Sequence, residues 1–137
     1  MLWRWLSPAI AVVEGGKVDS RTFEEAYFNR YLAKLQKDAP RFGWTARDFA
    51  TSFGIYQILG ENLARYSAFK PADLEHFLAD PDYQHQVAGE HFNRMLNTLI
   101  DRRGTSWPHY LFSMWNAGID YNENYTRAIK RALERKV

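Results

Sequence analysis

Ala88-Gly89-Glu90-His91-Phe92-Asn93-Arg94-Met95-Leu96-Asn97-Thr98-Leu99-Ile100-Asp101-Arg102-Arg103-Gly104 is the stretch that decides the fold class. Ala88, Phe92, Met95 and Leu99 recur at steps of three and four, which lays them along one face of an α-helix, with Leu96 and Ile100 beside them. Arg102 and Arg103 bring cations to the end where the helix dipole favours them, and Gly104 supplies the stop. This is the longest helix the sequence predicts, and its apolar stripe needs a partner of similar kind.

Working outward, downstream and upstream segments repeat that grammar. Ser106 caps a helix predicted from Trp107-Pro108 to about Trp115, and Asn116-Ala117-Gly118 breaks it. Tyr125, Ile129 and Leu133 then mark one face of a final helix, whose tail, Lys130-Arg131-Ala132-Leu133-Glu134-Arg135-Lys136, is rich in cations. Upstream, Pro71 opens a helix with Leu74, Phe77 and Leu78 inward, stopped near Asp80-Pro81, and Asn62 to Tyr66 reads as a brief helix. Thr51 to Gln57 reads as a turn or a small strand pair. Pro40 and Gly43 mark a loop. Before it, Phe23, Tyr27, Tyr31 and Leu35 form a four-residue stripe, widened by Phe28 and Leu32, that predicts one helix capped by Asp19 or Ser20. At the start, Ser7-Pro8 reads as a helix opening, Ala9 to Val13 as a short apolar helix and Gly15-Gly16 as its end. No internal repeat, low-complexity tract or linker interrupts the chain. The expectation is one mainly α domain over 1–137 with a very small β-turn or hairpin element.

Composition narrows the chemistry. The chain has 137 residues, a formal net charge of +2 and no cysteine, so disulfides, thiolate catalysis and Cys-based metal sites are excluded. His76, His85, His91 and His109 lack the i, i+4 spacing of a paired metal site, and no metal or cofactor is expected. No apolar run approaches the ~20 residues of a membrane span. The segment Met1 to Val13 does not read as a secretory signal, because Arg4 and Pro8 interrupt it and a basic leader is missing. A mildly basic surface attracts anionic polymers without choosing among them. Aromatic residues make up 16% of the chain, enough to fill a core and still line a groove for sugar rings.

Glu14 stands out because it closes an apolar helix beside two glycines. A glycosidase needs an acid that protonates the leaving oxygen, and a Glu keeps its proton at neutral pH only when it is shielded from water. The bland alternative is a half-exposed Glu in an ion pair. Glu24 offers a second carboxylate, either to orient water or a sugar group or merely to sit at a helix edge. Glu25 reads as solvated.

Three segments in order, Val13-Glu14-Gly15-Gly16, Thr51-Ser52-Phe53-Gly54-Ile55-Tyr56-Gln57-Ile58 and Trp115-Asn116-Ala117-Gly118, resemble the signatures of soluble lytic transglycosylases and goose-type lysozymes. Those signatures are a helix-ending Glu-Ser-Gly, a Ser-x-Gly-x-x-Gln turn and Tyr-Asn-Ala-Gly. The chain is more closely similar to the N-acetylmuramidase family of that lysozyme-like superfamily. The added matches are Phe23-Glu24 with Phe28, Phe53-Gly54-Ile55-Tyr56-Gln57-Ile58-Leu59-Gly60-Glu61-Asn62, and Tyr121 with Asn124-Tyr125. The resemblance spans roughly residues 10–130. Two positions depart from it: Gly15 replaces the Ser after the catalytic Glu, and Trp115 replaces the Tyr before Asn, offering a ring and an N–H in place of a hydroxyl.

The resemblance implies a lysozyme-like helical fold and a muramidase or endolysin that cleaves the β-1,4 bond between N-acetylmuramic acid and N-acetylglucosamine. A lytic transglycosylase forming 1,6-anhydromuramic ends, or a wall-binding module without catalysis, is the alternative. The resemblance implies Glu14 as acid, Ser52 and Gln57 hydrogen-bonding the sugar or shaping the turn, and Gly54 allowing close backbone approach. Beside these, Glu24 is the candidate second carboxylate, Tyr56, Trp115 and Tyr121 are candidates either for stacking on sugar rings or for the core, and Asn116 is a candidate either to donate to the glycan or to end its helix. The expected partner is the peptidoglycan glycan strand, met by a monomer at the bacterial cell wall as a phage lysin, virion-associated enzyme or exported effector. Nucleic-acid binding is the weakest alternative, suggested only by the basic pI and the Lys/Arg-rich last helix.

Overall fold

The structure is a computed structural model that describes residues 1–66 and 69–135. It is mainly helical, with one small three-stranded antiparallel sheet. In chain order the elements are α1 Leu2–Glu14, β1 Arg21–Phe23, α2 Glu25–Arg30, α3 Leu32–Asp38, α4 Ala46–Phe49, β2 Thr51–Phe53, β3 Ile58–Leu59 and α5 Gly60–Tyr66. They continue with α6 Leu74–Phe77, α7 Pro81–Arg103, α8 Trp107–Tyr110, α9 Met114–Ala117 and α10 Glu123–Glu134. Tight 3₁₀ turns at Ala39–Phe42, Pro71–Asp73, Gly104–Ser106 and Leu111–Ser113 join several of them. Two compact units are distinguished, one of Met1–Glu14 with Phe92–Val137, the other of Gly15–His91.

In the first unit α1 packs on α10, and α10 also packs on the Leu111–Ser113 turn. Trp3, Leu6, Ala9 and Ile10 of α1, Leu99 of α7, Met114 of α9, and Tyr125, Ile129 and Ala132 of α10 are buried. Ile100, expected beside the stripe, is 41% exposed. Lys136 of the basic tail lies outside the described residues. The expected helix opening at Ser7-Pro8 is corrected: α1 begins at Leu2, Ser7 is buried, and Pro8 lies inside the helix. A proline there removes one i→i−4 bond. Burial of Trp3 and Leu6 on one side of it and Ile10 on the other offsets that loss.

In the second unit the aromatic stripe does not form one helix. Arg21–Phe23 is a strand, and α2 and α3 are separated at Tyr31, whose φ of −113° and ψ of 23° leave the helical region. Pairing explains the strand: Arg21, Thr22 and Phe23 sit opposite Phe53, Ser52 and Thr51, and β3 adds on the other side through Ser52–Leu59 and Phe53–Ile58. Leu35, Trp44, Phe49, Phe53, Leu63, Phe69 and Phe77 form the core. Gly60 lets α5 start against α4, because a Cβ there would lie 2.1 Å from the Asp48 carbonyl oxygen.

Candidate active site

Helix α1 delivers Glu14 to its last position, half-buried, and Gly15 turns the chain at φ +68°. The Tyr125 hydroxyl donates to Glu14 Oε2 at 2.7 Å. Tyr125 is 9% exposed, and burial, then the Glu14 charge, then this hydrogen bond push its hydroxyl pKa well above the usual tyrosine value. The phenol therefore stays protonated and remains a donor.

Tyr125 is itself fixed by the start of α10. Asn122 is the N-cap, and its Oδ1 accepts from the Tyr125 backbone N–H at 3.0 Å. The Asn122 amide group reaches the other way, donating through Nδ2 to Asn116 Oδ1 at 2.9 Å, while its backbone N–H donates to Ser113 Oγ at 3.3 Å. Asn116 of the Trp115–Gly118 segment is thus tied to Glu14 by Asn122 and Tyr125. Gly118, at φ +61° and ψ −121°, makes the turn after α9 that an L-residue would resist.

The aromatic candidates of this unit differ in availability. Trp115 is half-buried and stacks on Trp3 at 5.5 Å between ring centroids and on Phe92 at 6.5 Å. Tyr121 is 38% exposed, lies flat on His109 at 4.4 Å, and donates from its hydroxyl to Glu123 Oε2 at 3.0 Å. That donor, followed by Arg127, holds the Glu123 carboxyl below its usual range.

In the second unit β2 and β3 are joined by the turn that carries Gly54, Tyr56 and Gln57. Gly54 takes φ +79°, and Gln57 takes φ +52°, a region a side chain rarely enters. The Gln57 backbone N–H and its Nε2 both donate to the Gly54 carbonyl, at 3.2 and 2.9 Å. Ser52 and Tyr56 are buried, and the Tyr56 hydroxyl pairs with His85 Nδ1 at 2.8 Å. Gly16 packs its backbone against the same turn: a Cβ there would fall 2.1 Å from the Gly54 oxygen, 2.8 Å from the Ile55 oxygen and 3.0 Å from Gln57 Nε2. The second glycine after Glu14 is therefore required by contact, and the first by its φ.

Gln84, which the sequence reading passed over, clamps this turn from α7. It is fully buried, accepts from the Ile55 N–H at 2.9 Å, and donates to the Val18 oxygen at 2.5 Å and the Phe77 oxygen at 2.7 Å. A Cβ on residue 54 would fall 2.5 Å from its Oε1. Its signal was present: Gln84 falls four residues before Ala88 on the same predicted face, and a polar side chain at a core position needs internal partners.

Glu24 is placed differently. Its backbone N–H donates to the Ala50 oxygen at 2.8 Å and its carbonyl accepts from Phe28 at 2.9 Å, so it starts α2, without a side-chain capping bond. Ala50 precedes Gly54 by four residues, on the order of 13 Å along an extended strand. The sheet register thus puts Glu24 at the opposite end of β2 from the Gly54–Gln57 turn.

Among the described residues no group of three or more His, Asp or Glu side chains could hold a metal ion, and no helix is long and apolar enough to cross a membrane. Comparison with protein-family models, characterised proteins and solved structures finds no match to this chain.

Proposed function

We propose that this chain is a peptidoglycan-degrading glycosidase with Glu14 as its general acid. The single observation that carries the reading is the 2.7 Å bond from the buried Tyr125 hydroxyl to Glu14, itself linked through Asn122 to Asn116. Glu14 accepts from a buried phenol that stays protonated, among residues that resemble a glycan-cleaving family.

In this mechanism Glu14 protonates the oxygen between N-acetylmuramic acid and N-acetylglucosamine while oxocarbenium character develops at the sugar carbon. Tyr125 fixes the rotation of the carboxyl, so the proton is delivered in one direction. General-acid catalysis of this kind contributes about 10²–10⁴-fold. Water then attacks, or the C6 hydroxyl of the muramic residue closes to a 1,6-anhydro ring. Asn116 and the exposed part of Tyr121 contact the glycan, with roles for Ser52, Gly54 and Gln57 carried by the resemblance alone, while Tyr56 is buried. Trp115, stacked in its own unit, supports the site more than it grips sugar. The setting is the bacterial cell wall.

Digestion of purified sacculi with wild type and Glu14→Gln, with fragments identified by mass, tests the reading. The expected result is soluble muropeptides from wild type and almost none from the variant. Ordinary reducing ends identify hydrolysis and anhydromuramic ends transglycosylation. Sacculi that bind the protein but stay intact identify a wall-binding module, and equal release by both proteins removes Glu14 from the chemistry.

A further inference from the structure

Helix α1 has an apolar surface that its own unit does not use. Between Leu2 and Glu14 the only charged residues are Arg4 and Glu14 itself, so the helix is apolar nearly all round. Such a helix normally belongs inside a core. Here Trp3, Leu6, Ala9 and Ile10 are buried, while Trp5 is 49% and Val12 61% exposed. Trp5 and Val12 are seven residues apart, so they share the outward face about two turns from each other.

Cations flank that face. Trp5 meets the edge of Phe112 at 5.8 Å, and Lys130 Nζ of α10 lies 5.9 Å from the Phe112 ring centre. At the other end, Val12 and Val13 share a groove of about 310 Å³ with Ala128, Arg131, Ala132 and Arg135. Its floor is apolar and its charged members are both arginines. Among the described residues, Arg4, Lys130, Arg131 and Arg135 enter no salt bridge, whereas Arg127 on the same helix is paired with Glu123.

We propose that the α1–α10 face of this unit docks on an anionic phospholipid bilayer, with Trp5 and Val12 entering the headgroup–acyl boundary and Lys130, Arg131 and Arg135 against lipid phosphates. The charge pattern selects an anionic surface. The exposed Trp5 and Val12 select a bilayer over a soluble polyanion, which has no apolar layer to receive them. Tryptophan suits that boundary, since its ring is apolar and its N–H is polar. At 13 residues α1 is too short to span a bilayer and of a length to lie in its surface.

The test is cosedimentation of the full chain with vesicles of equal phosphatidylglycerol and phosphatidylcholine, against phosphatidylcholine alone, at physiological salt. Binding to the anionic vesicles only is expected. The Trp5→Ser/Val12→Ser and Arg131→Gln/Arg135→Gln pairs should each lower the partition about tenfold or more. Trp5→Phe, which keeps an apolar ring, should retain most of it. All these side chains are exposed or at the rim of the groove, so circular dichroism should match wild type. Equal binding to both vesicles, or to neither, overturns the proposal. So does full binding by the Ser pair, the behaviour of a purely ionic polyanion site. Wild-type self-association that the Ser pair abolishes assigns the face to a second copy and also overturns it. Release of fragments from lipid-free sacculi is read separately, so either result leaves the glycosidase reading to its own test.

Discussion

Glu14 and Glu24 invite comparison because both are half-buried and both stand at a helix end. Glu14 closes a 13-residue helix, and its side chain is gripped by Tyr125; the next two residues are glycines, the second pressed onto the Gly54–Gln57 turn. Glu24 opens a six-residue helix, and what holds it is its backbone, through Ala50 and Phe28. A helix-end carboxylate is therefore a poor sign of chemistry by its position alone. What separates the two is a dedicated side-chain donor and a backbone that forbids any other residue nearby.

The largest expected effect sharpens this contrast. Glu14→Gln should lower the rate of fragment release about 10³-fold, the scale of a lost general acid, with its thermal midpoint near that of wild type. Losses of similar size at Glu14 and Glu24 would erase the distinction between them.

The next effects fall on stability. Gly16→Ala puts a methyl group 2.1 Å from the Gly54 oxygen, so the turn or the chain must move, at a cost of about 3 kcal/mol. Gly15→Ala meets no atom within 4 Å and carries only the left-handed φ, at about 1 kcal/mol. Urea unfolding of the two variants should rank them in that order. Gln84→Leu strands the Ile55 N–H and the Val18 and Phe77 carbonyls, and should also cost about 3 kcal/mol.

Tyr125→Phe removes the grip on Glu14 and should lower kcat about tenfold, with a displaced pH–rate profile. It has a second readout. The folded Tyr125 pKa lies above the unfolded value of about 10, so its contribution to stability is complete below pH 10 and is lost as pH rises beyond it. Urea midpoints taken from pH 8 to 11 should fall less steeply in the Phe variant. The smallest effect is expected at Glu24→Gln, at most about threefold on rate, since its backbone bonds survive the change.

Much of this fold was legible because its signals are local. Pro71, Gly104 and Gly118 stop or start segments where the chain does so, and Phe92, Leu99 and Ile129 are buried as their spacing requires. The failures have a common cause. Phe23 falls in register with Tyr27 and Tyr31, yet Arg21–Phe23 is a strand because Thr51–Phe53, nearly thirty residues on, pairs with it. Pro8 looks like a first turn, yet burial of Leu6 and Ile10 carries α1 through it. Partners distant in sequence decided both.

The candidate site divides the same way. Glu14 was legible from its apolar helix and two glycines, and Asn116 from the break it precedes. Tyr125 was read as a member of an apolar stripe and, with Asn124, as part of the resemblance, with no role for its hydroxyl, although a buried phenol has a hydroxyl to satisfy, and Glu14 satisfies it from 111 positions away. Gln84 was hidden in the same manner. Polar side chains on apolar faces were the signal with most information left in it.

The most direct measurement uses glycan strands stripped of their stem peptides, so that sugar–sugar bonds are the only ones available to cut. Incubated with wild-type protein, these strands should shorten, each cut leaving a new muramic end in reducing or anhydro form, while Glu14→Gln leaves them at full length. Strands that keep their length with wild-type protein, or shorten equally with Glu14→Gln, contradict the account.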